Sequence, residues 1–260
     1  VVIPYKVKNP ISRFPIATAS LILINVIIYA LTTKEFQSIR PDVVAQHGFS
    51  LTAPSVLNFF ASKFLHGGLL HIGGNMLFLW VFGPPVEDRL GVPRYLALYF
   101  IAGLVGDLLQ ISLNMLFVRY SLPMIGASGC IMGVMGAYWY LFSWSTVCVI
   151  CWHGRSELQA IWIVAIYLVV SLIEGIKYAA SPLAGSVAHF AHIGGGLAGL
   201  AICRSMRVRR DTPEVSEAKA IQADARSLNE MPLHALQTML AVEPGNVELV
   251  RATVNAAYRA

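Results

Sequence analysis

YLALYFIAGLVGDLLQISLNMLF, residues 95–117, holds a single charged side chain, Asp107. A nearly uncharged apolar run of ~18 residues or more is long enough to cross a bilayer as a helix. Runs of the same kind recur on both sides of it. Reading outward gives six spans, at about 15–32, 68–83, 95–117, 126–148, 159–178 and 185–203. Strand-length alternation of apolar and polar residues is absent, so a transmembrane barrel is not expected. Composition agrees. The 260 residues are 56% hydrophobic and 13% charged, with a mean hydropathy of +0.63. A soluble domain carries about twice that charged fraction. The expected fold is therefore all-α: a polytopic membrane bundle of six transmembrane helices with a small helical cytoplasmic tail.

Charge placement sets the orientation. With the N-terminus inside, the inner segments hold Lys6, Lys8, Arg13, Arg89, Arg94, Arg155, Arg204, Arg207, Arg209 and Arg210, and the outer ones Lys34, Arg40, Lys63, Arg119 and Lys177. Excess Lys and Arg mark the cytoplasmic side. Both termini are expected there, as an even span count requires. The expected division is a cytoplasmic segment 1–14, a six-span core 15–205 and a polar cytoplasmic tail 206–260. No removable signal peptide is evident. The expected location is a bacterial cytoplasmic membrane. Cys130, Cys148, Cys151 and Cys203 suggest no disulfide framework. Cys148-x-x-Cys151 by itself is a weak metal or redox signal, and small apolar packing accounts for it.

Residues 33–67 form an outer loop too long for a tight connector. Val56, Leu57, Phe59, Phe60 and Phe64 within it suggest a segment lying in the membrane interface. After CRSMRVRR, 203–210, the composition turns polar and helix-prone. Short amphipathic helices are expected there, with a turn at Pro244-Gly245-Asn246. The last pair vaguely resembles a tetratricopeptide hairpin, and a docking role for a protein partner and a solvated tail are both open.

Polar groups at bilayer depth are costly and need reasons. Span two carries His71 and Asn75, spaced i, i+4 on one helix face, and His66 precedes them. Span six carries His189 and His192. Span four opens on GASG, 126–129, which sets Ser128 among small residues. Alone, Ser128 reads as an N-cap or packing residue, and the histidines as interior hydrogen-bonding groups. Together, three spans deliver polar side chains to one depth. Small-xxx-small pairs at Gly129/Gly133 and Gly195/Gly199 would let spans four and six approach closely. Ser128 and His192 would then come within reach of one another, as a nucleophile and its base require. A serine at a helix N-terminus also has unpaired backbone N–H groups beside it, suited to a developing oxyanion.

These residues resemble the rhomboid family of intramembrane serine proteases. FLHGGLLHIGGNMLFLWVFG (64–83) with VEDRLG (86–91), GASG (126–129) and AHIGGGLAG (191–199) carry the resemblance, in order, over about residues 10–205. It implies Ser128 as nucleophile and His192 as general base. It implies an oxyanion hole of His71, Asn75 and the Ser128 N–H. His66, Gly126, Gly129, Gly195 and Gly199 take supporting roles, and His189 takes none. It implies transmembrane protein substrates met in the bilayer, with no metal, cofactor or nucleic acid. There is no HExxH, and GLVGD (103–107) is not the GxGD of aspartyl intramembrane proteases. The stripe Asp107, Gln110, Asn114 would suit a transporter, but helix–helix hydrogen bonding accounts for it. The competing reading is a rhomboid-like fold that binds transmembrane clients without cutting them.

Overall fold

The structure is a computed structural model that describes residues 2–50, 54–118, 123–152, 154–180, 187–225 and 227–259. Arg119 and residues 185–186, which the sequence places outside and at the start of span six, lie outside the described residues.

Six helices build the bundle: α1 (Ile16–Thr32), α4 (Leu69–Leu90), α5 (Val92–Leu113, continued by a π turn Asn114–Val118), α6 (Ser128–Phe142), α7 (Ala160–Ala180) and α8 (His189–Ser205). Between α1 and α4 lie a two-strand ribbon, β2 (Thr33–Lys34) with β3 (Ser38–Ile39), and the short helices α2 (Pro41–His47) and α3 (Val56–Ser62). Among the described residues, three helices are long and apolar enough to cross a membrane: Leu69–Leu90, Val92–Phe117 and Ala160–Ala180. Helices α1, α6 and α8 are shorter, at 17, 15 and 17 residues. At 1.5 Å per residue α6 is about 22 Å long, less than a hydrocarbon core of ~30 Å.

The core is centred on α4, α5 and α6, where Leu79, Phe82, Tyr95, Tyr99, Met135 and Tyr138 are fully buried. Backbone contact joins α6 to α8. A Cβ on Gly195 would collide with the Gly129 carbonyl, one on Gly199 with the Gly133 carbonyl, and one on Gly136 with the Gly196 carbonyl. The small residues therefore sit where two helix backbones touch, as close packing in lipid demands. Helix α5 meets the same face of α8, with Gly106 against the Ala191 carbonyl.

Two helix starts lack a side-chain cap of their own and borrow one. Pro15 precedes α1, and the buried Glu87 carboxylate of α4 accepts the Ala17 and Thr18 N–H groups at 2.8 and 2.7 Å. Ala188 precedes α8, whose first N–H groups are met by α5, as described below. Orphan N–H groups of a buried helix end require such partners.

The sequence expectation of an all-α chain needs one correction. Strands β1 (Ile3–Val7), β4 (Thr146–Cys151) and β5 (Gly154–Gln159) form a three-stranded antiparallel sheet in the order β1-β4-β5. The fourth apolar run, expected to span 126–148, is helical only to Phe142. TVCVIC, 146–151, is β-branched and pairs on both edges, with Ile3 opposite Ile150 and Ile150 opposite Arg155. A short apolar run does not distinguish strand from buried helix by periodicity, and its β-branched residues favour the strand. Helix α4 also runs past the expected end at 83, through Pro84 and Pro85, to Leu90.

The sheet lies where α1 begins, α6 ends and α7 begins, at one end of the bundle. The tail joins it there. Helices α9 (Pro213–Asp224), α10 (Leu233–Val242) and α11 (Val247–Arg259) share a small core of Met231, Leu236, Met239, Leu249 and Ala252. Asn246, in the expected turn, caps α11 by accepting the Leu249 N–H at 3.2 Å. Lys8 bridges Glu157 and Asp224 at 2.9 and 2.7 Å, and Asp211 takes Arg89 and Lys219 at 2.7 and 2.8 Å. The N-terminal segment, the 143–159 connection and the tail thus share one side.

Candidate active site

The other end of the bundle is hollow. A cavity of about 860 Å³ is lined there by His71 and Asn75 from α4, Ser128 from α6 and His192 from α8. Ser128 is the first residue of α6, after a short segment that the outer loop holds in place. Phe49 and Met124 exchange backbone hydrogen bonds at 2.9 and 2.8 Å, and Gly126 donates its N–H to the Ser62 carbonyl at 2.8 Å. Gly126 has φ +118°, a conformation that suits glycine. A Cβ there would also fall 2.9 Å from His71 Nε2 and 3.9 Å from Ser128 Oγ. Only glycine leaves the path between that imidazole and that hydroxyl open. The Ser128 backbone N–H lies in the first turn of α6, among donors that have no partner within the helix.

His71 accepts the Gly67 N–H at Nδ1, 3.3 Å. That contact puts the proton of a neutral ring on Nε2, the nitrogen that faces Gly126 and Ser128. The fully buried His66 ring packs edge-on against His71, with centroids 5.0 Å apart, and fixes its plane. Asn75, one turn on, is buried, and its Nδ2 has no partner among the described residues. An unpaired buried amide is costly unless function explains it. His71, Asn75 and Ser128 at the start of α6 line the same cavity, and each carries an N–H group.

His192 lies in the first turn of α8. Its Nδ1 is 3.4 Å from Ser171 Oγ on α7. Its buried Nε2 has no hydrogen-bond partner among the described residues, so no hydrogen bond joins His192 to Ser128. The two side chains share the cavity without closing the contact that the glycine spacing led one to expect. Catalytic hydrogen bonds are commonly loose in an empty site and tighten around substrate. His189, at the start of α8, packs edge-on against His192, with ring centroids 6.0 Å apart. No group of three or more His, Cys, Asp or Glu side chains is arranged to hold a metal ion among the described residues.

Three supporting residues have only faint signals in the sequence. Gln110 Oε1 accepts the Phe190 and Ala191 N–H groups at 2.8 and 3.3 Å, and its Nε2 donates to Asn114 at 2.8 Å. Lys63, at the end of α3, forms an ion pair with Asp107 of α5, both nearly inaccessible to solvent. Ser171 is one more hydroxyl in an apolar helix. The polar stripe on span three marks Gln110 and Asp107 but not their partners on α8 and in the outer loop, which lie 80 and 44 residues away.

Comparison with known proteins agrees with the motifs. The family model for the Rhomboid domain matches residues 53–208. "Rhomboid protein 1, mitochondrial" of Saccharomyces cerevisiae is 27% identical over 188 residues, 70% of this chain and 50% of the yeast protein. "Rhomboid-like protease 3" of Toxoplasma gondii is 29% identical over 168 residues, 62% of this chain and 58% of that protein. "Rhomboid protease GluP" of Bacillus subtilis is 39% identical over 77 residues, 30% of this chain and 14% of that protein. The chain spans about half the length of the first two. The expected bacterial cytoplasmic membrane gains no support from relatives that include a mitochondrial protein. A family model that covers more than half of the chain, on a helical bundle with membrane-length apolar helices, makes this multi-pass membrane protein a member of the rhomboid family.

Proposed function

We propose that the chain is an intramembrane serine endopeptidase that cuts transmembrane proteins near the outer membrane face. Its six bundle helices cross the membrane, and both termini are cytoplasmic. The observation that carries this reading is the convergence of Ser128, His192, His71 and Asn75 on one cavity, at the end opposite the basic side of the protein.

His192 takes the Ser128 proton as the hydroxyl attacks a peptide carbonyl. The oxyanion is held by His71 Nε2, Asn75 Nδ2 and the Ser128 N–H. His192 returns the proton to the leaving amine, and water then hydrolyses the acyl-enzyme. Ser171 orients the imidazole from Nδ1. Because α6 is short, Ser128 sits below the membrane surface, and the cavity supplies water there. A substrate span must unwind to present its peptide bond, since a helical one is shielded by its own turn. The chemistry draws on no metal or cofactor.

A client-binding protein without proteolysis is the competing reading, and the open Ser128–His192 contact speaks for it. Reconstitution in liposomes with a single-span model substrate separates the two. Cleavage by the wild type that is lost in both Ser128→Ala and His192→Ala supports the protease. Capture of intact substrate by the wild type, with no product, supports the binder.

A further inference from the structure

The sheet at the closed end has an outer face that a protein in water would not expose. Trp152, at the tip of the β4–β5 hairpin, is 94% exposed. Ile150 on β4 and Ile3 and Tyr5 on β1 are also exposed, while Val147 and Val149 are turned into the bundle core. Ile3, Ile150 and Arg155 form one cross-strand row. The Arg155 guanidinium lies 5.9 Å from the Tyr5 ring centroid. Lys6, Arg13 and Arg155 are exposed and have no carboxylate partner among the described residues, whereas the nearby Glu157 is taken by Lys8 and Asp88 accepts Ser12.

The sheet has no room to stand away from the bilayer. Strand β5 passes directly into α7 at Ala160, and Ser143–Ser145 alone separate α6 from β4. Trp144 between α6 and β4, Trp162 in the first turn of α7 and Phe14 just before α1 are also exposed. Tryptophan and tyrosine collect where an apolar body can sit among acyl chains and a polar edge in the headgroups. Unpaired Lys and Arg beside them attract anionic lipid. We propose that the Trp152 hairpin and the outer face of the sheet form a membrane-surface anchor. It seats in the headgroup layer of the leaflet opposite the cavity and favours anionic phospholipid there. The anchor joins the N-terminus, the α6–α7 connection and the start of α7 on one lipid surface. This proposal stands whether or not the cavity cleaves peptides.

The test uses the full chain in nanodiscs of phosphatidylcholine, with or without phosphatidylglycerol. Trp152 fluorescence is read as the difference between the wild type and Trp152→Phe, against headgroup-proximal brominated lipid and aqueous acrylamide. The expected result is strong quenching by brominated lipid. Addition of phosphatidylglycerol should raise it by about twofold, and Lys6→Gln with Arg155→Gln should abolish that increase. Quenching by acrylamide alone would put the hairpin in water and overturn the proposal. Protection from both quenchers, with cross-linking of two copies through residue 152, would overturn it in favour of a self-association face.

Discussion

Gln110 on α5 caps the α8 helix through the Phe190 N–H, which it accepts at 2.8 Å, two residues before His192. The cap comes from another helix because Ala188, at the usual capping position, has no side chain able to accept. Loss of a helix cap costs ~1 kcal/mol. Here it also frees the turn that carries His192, the proposed base. Gln110→Ala is expected to lower kcat by about tenfold with KM little changed, since a misplaced catalytic group costs rate before binding. Gln110→Glu keeps an acceptor oxygen and should recover most of the activity. Steady-state cleavage by the two variants checks this.

The Gly195–Gly129 contact leaves no space for a methyl group. Gly195→Ala should drive α8 away from α6 and separate His192 from Ser128. Overpacking of this kind costs ~1–3 kcal/mol, and a displacement of about 1 Å at a site costs on the order of 10²-fold in rate. Thermal unfolding in detergent and the cleavage rate should both fall. Gly73→Ala on α4, where a Cβ meets nothing within 4 Å, should leave both nearly unchanged.

Lys63 and Asp107 tie the outer loop to α5 through a buried ion pair. The next residue back, Ser62, holds Gly126. Removing one partner strands a buried charge, at a cost of ~3–5 kcal/mol, whereas replacing both with apolar groups is often neutral. Lys63→Met should sharply lower the unfolding midpoint, and Lys63→Met/Asp107→Leu should restore most of it. A double mutant no more stable than Lys63→Met would show that the pair is not coupled.

Asn75 lines the cavity, and its buried Nδ2 has no hydrogen-bond partner among the described residues. Asn75→Ala removes one proposed oxyanion donor and should reduce kcat by about 10²–10³-fold with KM little changed, because such a bond strengthens only in the transition state. Thermal stability should hold, since the Nδ2 it loses has no partner among the described residues. A large loss of stability with proportionate loss of rate would mean that Asn75 is structural.

Much of the bundle was legible in the sequence, because apolar runs and glycine spacing report directly on lipid and backbone contact. GxxxG-type spacing at 129/133 and 195/199 pointed to the α6–α8 contact that the structure contains. The sheet was not legible. TVCVIC looks like the end of a span until IPYKV, some 140 residues earlier in the chain, is laid beside it. The candidate site was legible as polar residue types on three helices that the structure brings to one cavity. What the sequence could not supply was the partner of each polar group: the Gly67 N–H that sets the His71 tautomer, Ser171 behind His192, and Gln110 across to α8. Those contacts join residues with no shared period, and only folding brings them together.

The central claim is that Ser128 becomes a nucleophile because His192 meets it in the cavity. A fluorophosphonate probe, which reacts with activated serine hydroxyls, tests it directly when the labelled site is mapped by peptide mass spectrometry. The expected result is one adduct, on Ser128, in the wild type, at least about 10³-fold slower in a folded His192→Ala variant. Labelling of Ser128 at an equal rate in both proteins, or no labelling in a wild type that still cuts its substrate, would contradict the account.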